Sequence, residues 1–166
     1  MTKEEAREYL KMGEDDEITD FHVFLAETWQ KADREYEGIP WEPFAYYNVT
    51  GDLLKVHLSE NEDGCWHWRK DHTSVAYSHS GDKTVVGWDI WWLKSFLNGE
   101  PRENVTYDKE MDTIRFTIVP GASFYSKEDV SPSITVMKDK DGKIVASELR
   151  GVTRLVREEE LKEEGR

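Results

Sequence analysis

The sequence predicts an α+β protein made of two tandem strand-rich repeats. Each repeat has antiparallel hairpins followed by a helix, and an N-terminal amphipathic helix packs on the sheet. Three observations lead there: an internal repeat, apolar alternation at strand period inside it, and a stripe at helical period ahead of it. The repeat sets Tyr47-Asn48-Val49-Thr50-Gly51-Asp52-Leu53-Leu54-Lys55-Val56-His57-Leu58 against Tyr107-Asp108-Lys109-Glu110-Met111-Asp112-Thr113-Ile114-Arg115-Phe116-Thr117-Ile118. The tyrosine, the aspartate and the pairs Leu54/Ile114, Val56/Phe116 and Leu58/Ile118 keep one constant offset. A second block agrees after a one-residue slip: Val75-Ala76-Tyr77 with Ile134-Thr135-Val136, then Val85–Ile90 with Ile144–Leu149. A unit used twice in this way is expected to cover a face of its copy.

Taken in order, residues 2–12 read as a short helix, with Thr2 as N-cap and Glu5 completing a capping box. From Glu17 to about Glu37 the stripe Ile18, Phe21, Leu25, Trp29, Ala32, Tyr36 follows helical spacing, with Asp15 or Asp16 as the cap and Gly38 as the stop. Four such side chains on one face are expected to be buried. Residues 39–44, with Pro40 and Pro43, form an extended connector. Asp52–Leu58 and Asp112–Val119 alternate as half-buried strands do. Ser80-Gly81-Asp82-Lys83 and Asp139-Lys140-Asp141-Gly142 are hairpin turns. Trp91–Leu97 reads as a helix stopped by Asn98-Gly99, and Val152–Glu164 as a second, highly charged helix after Gly151. The organisation is then an acidic helical extension (1–45), repeat 1 (46–98), repeat 2 (106–156) and a charged helix end (157–166), the repeats forming one globular domain.

At 166 residues, 37% hydrophobic and with seven Trp, the chain has enough apolar surface for a core despite its polar average. It contains no apolar run long enough to span a bilayer and no signal peptide, so a soluble cytoplasmic protein is expected. On that expectation the sequons at Asn48 and Asn104 are coincidental. One cysteine, Cys65, excludes an intramolecular disulfide and a multi-cysteine metal site. The net charge is −13, and residues 1–45 carry 13 acids against 5 bases. That field disfavours direct nucleic-acid binding and fits either a solvated helix face or an arm that docks on a basic partner.

Tyr107–Ile114, followed by Asp139-Lys140-Asp141-Gly142-Lys143-Ile144-Val145-Ala146-Ser147-Glu148-Leu149, resembles the small bacterial and archaeal domain DUF2283. That pattern runs from a Tyr-Asp…Asp strand through an Asp-x-Asp-Gly turn to a strand leading into a short helix. The resemblance covers about residues 105–156. The first copy matches more loosely, keeping Tyr47, Asp52 and Val86–Ile90. It implies the fold and carries no established activity.

The candidate chemistry lies mostly in the first copy. Asp89 and Glu148 occupy equivalent positions, so a twofold pairing of repeats would let them face each other and share acid and base roles. The alternative is that each is a solvent-facing strand residue. Within Asp63–His72, Trp66 and Trp68 share one strand face while Cys65, His67 and Arg69 share the other. His57 and His67 are candidates to approach one another across the sheet, with Asp63 or Asp71 completing a metal site, but tight ligand spacing is lacking and no metal is assigned. Cys65 beside a histidine is a candidate nucleophile or a small apolar filler. No nucleotide, dinucleotide or nucleophile-elbow motif is present, and no cofactor is implied. Trp66, Trp68, Trp91 and Trp92 are either core or a binding surface.

Two functions follow. The preferred one is a non-enzymatic interaction or inhibitor-type protein. It binds a protein partner, basic in character, through Asp15, Asp16, Asp20 and Glu27 of the acidic arm, through the Trp-rich first repeat, or through both. The alternative is a hydrolase- or lyase-like enzyme whose pocket lies between the repeats, with His57, His67, Asp89 and Glu148 transferring protons. Convergence of those four side chains in one concavity separates the two.

Overall fold

The computed structural model describes residues 1–35, 40–60, 64–79 and 83–165, the side chains of 29, 31–35 and 64 excepted. The Trp29 and Ala32 side chains, Tyr36, Gly38, Asp63 and the Ser80-Gly81-Asp82 part of the first turn therefore lie outside the described residues. Residues Met1–Pro40 form one compact unit and Trp41–Arg166 another.

The first unit is a pair of helices, α1 (Lys3–Tyr9) and α2 (Asp20–Glu35), packed on each other. The capping box forms as expected. The Glu5 N–H donates to Thr2 Oγ1 at 3.2 Å and the Thr2 N–H donates to the Glu5 carboxylate at 2.6 Å. α2 starts three residues later than Glu17. The Thr19 carbonyl accepts the first helical N–H groups, and its own N–H donates to His22 Nδ1 at 3.2 Å. Asp16 caps a tight turn instead, accepting the Gly13 N–H at 2.7 Å. Ala6, Ile18 and Ala26 are buried, but Phe21 is 65% exposed, so the expected stripe is only partly an inward face. The small residues on both helices allow the close approach, and that contact turns Phe21 and Phe24 outward.

The second unit repeats one topology twice. β1 (Phe44–Asn48), β2 (Leu53–His57), β3 (Gly64–Trp68), β4 (Thr73–Ser78) and β5 (Val85–Trp91) form an antiparallel sheet in the order β1-β2-β5-β4-β3, followed by α3 (Leu93–Leu97). β6 (Val105–Asp108), β7 (Thr113–Thr117), β8 (Ser126–Asp129), β9 (Ile134–Lys138) and β10 (Ile144–Arg150) form the second in the order β6-β7-β10-β9-β8, followed by α4 (Val152–Glu164). The protein is thus α+β, with two five-stranded antiparallel sheets and four helices among the described residues. Two assignments shift. Trp91 ends β5, so the helix begins only at Leu93. Val75 faces Trp88 as Val136 faces Ser147, so Val75 corresponds to Val136; both pairings carry the same bulge, and the first copy has two more residues between Tyr77 and Val85 than the second has between Lys138 and Ile144.

One interaction recurs at the same place in both copies. Asp52 and Asp112 end the first hairpin turn with φ of 47° and 48°, a left-handed conformation that Asp tolerates better than most residues. Each accepts a tyrosine hydroxyl from the preceding strand: Tyr47 at 2.8 Å on Asp52 and Tyr107 at 2.7 Å on Asp112. Each carboxylate also accepts the backbone N–H of the second residue of the following helix, Lys94 at 3.2 Å and Thr153 at 3.1 Å. Trp92 and Gly151 precede those helices in left-handed conformation and offer no side-chain cap, so the aspartates cap from a distance.

The sheets share one core. Leu54, Val56, Val75, Trp88 and Ile90 face Ile114, Phe116, Ile134 and Leu149, with Trp88 stacked on Phe116 at 4.8 Å. The helices exchange partners: the Phe96 ring of α3 lies 6.5 Å from the Tyr107 ring of β6, and α4 packs on β1. Lys94 and Glu160 form an ion pair between α3 and α4. Arg69 donates to the Thr117 and Ile118 carbonyls and binds the edge of one sheet to the other.

Asp112→Ala removes a helix cap and strands a tyrosine hydroxyl, so it is expected to cost about 1–3 kcal/mol in urea denaturation. Burial, reinforced by the aspartate, raises the Tyr107 hydroxyl to about 12 and Tyr47 higher still. The folded state then holds a proton that the unfolded state loses above pH about 10. Stability is fully present below that value and falls from there to about pH 12; Tyr107→Phe should flatten the fall in alkaline melts.

Candidate interaction face

Strand alternation places Trp88 and Ile90 in the core and Asp89 on the outer face of the first sheet. Registers then fix its neighbours. Tyr46, Lys55, Asp89, Ser74 and Trp68 form one cross-strand row, and Phe44, His57, Gly87, Ala76 and Trp66 form the next. Trp91, opposite Leu53, adds a third tryptophan beside Trp68, their rings 5.7 Å apart. Phe44 stacks on His57 at 4.6 Å.

Gly87 is needed under Trp66. A Cβ there would meet the Val56 carbonyl oxygen at 2.7 Å and the Trp66 ring at 3.4 Å. The small residues Ala76 and Gly87 let the indole lie against the sheet, where Lys55 Nζ sits 4.7 Å from its centroid. Beneath this layer Asp89 is only 2% exposed, accepting the Ser74 hydroxyl at 2.6 Å. Burial pushes its carboxyl up from the ordinary value, opposed by Ser74 and by the Lys55 charge. The Trp91 indole N–H is buried without forming a hydrogen bond and lends the carboxylate weaker support. Trp68 is 58% and Trp66 39% exposed.

The second sheet carries a different surface on the same frame. The positions of Phe44, Tyr46, Trp66, Trp68 and Trp91 are held by Asn104, Thr106, Lys127, Asp129 and Arg150. Glu148, the counterpart of Asp89, is paired with Lys127 at 3.5 Å and Arg115 at 3.9 Å, while Arg150 pairs with Asp129 at 3.5 Å. One outer face carries five aromatic positions; the other is mainly an ion-pair network, with the buried Met137 and Ala146 in its next row and the Phe124 ring 5.6 Å from the Arg115 guanidinium.

The four proton-transfer candidates do not converge. Asp89 and Glu148 lie on outer faces turned away from the shared core, and so do not face each other. His57 shares the outer face with Gly87. His67 lies opposite Val75, on the core side at the edge strand, with its ring 5.4 Å from Tyr77. Two clefts lined by described residues hold none of the four. One of about 300 Å³ lies between α4 and the start of β1, and one of about 490 Å³ between α3 and β6. Cys65 is exposed, with its thiol 3.3 Å from His79 Nδ1 rather than from His67. Among the described residues no three His, Cys, Asp or Glu side chains gather to hold a metal ion. Asp139-Lys140-Asp141-Gly142 is a hairpin turn in which Asp139 accepts the N–H groups of Asp141 and Lys143.

The acidic candidates are exposed, yet three of them are engaged within the first unit. Asp16 accepts from Gly13 at 2.7 Å, Asp20 pairs with Lys3 at 3.5 Å and Glu27 with the terminal ammonium at 2.8 Å. Trp92 lies at the entry to α3 and is 54% exposed. Sequence reasoning named Trp66, Trp68 and Trp91 but missed Phe44, Tyr46 and Lys55, because the connector reading took in Phe44, Tyr46 was placed in the repeat without a strand face, and Lys55 read as an ordinary polar alternate. The signal was the strand register, which the repeat carried. Comparisons with known protein families, with curated proteins and with solved structures give no match to this chain. The likeness to DUF2283 rests on the residues quoted for it.

A raised carboxyl in the folded state means that Asp89 ionisation opposes folding once the pH rises above the unfolded carboxyl value of about 3.9. Asp89→Asn keeps an acceptor for Ser74 and removes the charge. Its melting temperature should exceed the parent's at pH 7, and the gain should vanish in acid.

Proposed function

We propose that this chain is a cytoplasmic, non-enzymatic interaction protein that binds a basic protein partner through the outer face of its first sheet. The observation that carries this reading is the contrast between the two copies. Five positions that are polar or charged on the second sheet are aromatic on the first, and several of those rings stand in solvent. Leaving a large apolar side chain exposed forgoes on the order of 1.5–3 kcal/mol of burial. A pattern that does so repeatedly on one face is explained by contacts made outside the chain, and Trp and Tyr are the residues that dominate such contacts.

The acidic first unit complements this surface. Exposed carboxylates attract a basic partner over about 8 Å at physiological ionic strength, which speeds encounter more than it tightens the final complex. No helix among the described residues is long and apolar enough to cross a membrane, in keeping with a protein partner reached from solution. The enzyme alternative required His57, His67, Asp89 and Glu148 in one concavity, and their placement gives it no support.

The test is affinity purification from the native host with quantitative mass spectrometry, comparing the parent chain with Trp68→Ala and with Asp15→Asn/Asp20→Asn. Trp68 is exposed, so its loss should leave the melt unchanged. Partners should be depleted by Trp68→Ala at any salt and by the Asn variant mainly at low salt. Retention of the same proteins by Trp68→Ala would remove the aromatic face from the reading.

A further inference from the structure

Resting on that reading, we propose that the face receives an arginine side chain of the partner, its guanidinium stacked on the exposed indoles of Trp66 and Trp68, which share the strand face that carries Asp89. The two sheets form a matched comparison. On the second, Glu148 is served by two cations, Arg115 from β7 at 3.9 Å and Lys127 from β8 at 3.5 Å. On the first, Lys55 stands where Arg115 does, but Trp66 stands where Lys127 does. Asp89 therefore keeps a basic residue opposite it in register, and an indole occupies the place of the second cation. An indole face is the neutral side chain that best attracts a cation. This one already does so, with Lys55 Nζ 4.7 Å from the ring centroid.

The chemistry of the occupant follows from the charge and shape of what it meets. An acidic partner would meet a chain of net charge −13. A guanidinium brings the opposite charge, and it is flat, stacks on aromatic rings and sheds water more readily than an ammonium. Gly87 and Ala76 hold the Trp66 ring against the sheet, so the platform is formed before the partner arrives.

The experiment titrates the full chain with a short peptide of alternating glycine and arginine, and with the same peptide bearing citrulline for arginine, read by tryptophan fluorescence and calorimetry. Citrulline keeps the shape and loses the charge. The arginine peptide should bind and the citrulline peptide should bind at least about tenfold more weakly. Trp66→Ala and Trp68→Ala should each weaken arginine-peptide binding by about threefold or more. Asp89→Asn should weaken it as well, while Glu128→Gln on the second sheet should leave it unchanged. Equal binding by the Trp variants would show attraction to an acidic chain only and overturn the proposal, as would equal binding of the two peptides. Absence of arginine-peptide binding while Trp68 still governs capture of cellular partners would overturn the arginine assignment and leave the interaction reading standing.

Discussion

The architecture depends on a carboxylate that serves three elements at once. In each copy the aspartate at the hairpin turn fastens a tyrosine of the first strand and the start of the helix that follows the central strand. Removing it frees a buried hydroxyl and the helix N–H groups together, and no other side chain caps that helix. The latch also fixes where the helix leaves the sheet. That exit carries α3 to β6 and α4 to β1, so each repeat closes the other. The main core lies on one side of each sheet. The opposite faces carry only local contacts, Ser74 on the buried Asp89 in the first and the small buried cluster of Met137 and Ala146 in the second, so those faces can differ without disturbing that core.

That freedom separates the copies. Their inward positions stay apolar and are filled by residues of similar bulk: Leu54 and Ile114, Val56 and Phe116, Ile90 and Leu149. Their outward positions keep a basic residue (Lys55, Arg115), an acidic one (Asp89, Glu148) and a hydroxyl (Ser74, Thr135), and part company at the five aromatic positions. On the second sheet, charges of both signs lie within reach of one another, the ordinary dress of a solvated face. On the first, a carboxylate is buried against its own ionisation and aromatic rings stand partly in water. Both features work against stability in the isolated chain, and they coincide on one surface. Two unrelated accidents of drift would have no reason to meet there; a surface completed by a partner would.

The inward pattern was legible because it is dictated by period. Offset and alternation located the Tyr–Asp pair, the central strands and the bounds of α4 without coordinates. The outward pattern was legible only in part. Trp66 and Trp68 declare themselves by composition, but the partners that give them meaning come from strands distant in sequence, and register is not written locally. The slip at Val75 shows why: the first copy has two more residues between Tyr77 and Val85 than the second has between Lys138 and Ile144, and a best-looking string of apolar residues then aligns the wrong pairs. Asp89 and Glu148 are equivalent in sequence, and equivalence invited the thought that they meet. In a pair of sheets joined through their inner faces, equivalent outward residues are carried to opposite sides.

Charge and aromatic surface also act over different ranges, which explains why the chain keeps them in separate units. Residues 1–45 hold 13 of the 35 acids, and the strand-rich body is nearer to neutrality. A field of that kind reaches a basic partner before contact and is screened within about a Debye length. It cannot choose among basic partners, since every one of them feels it. Choice requires contact with shape, and the sheet face supplies flat indoles, a carboxylate beneath them and a lysine already lodged on one ring. In the proposed reading, recruitment by the acidic helices and selection by the first sheet need not share residues. Either can change without unmaking the core on which the second copy still reports.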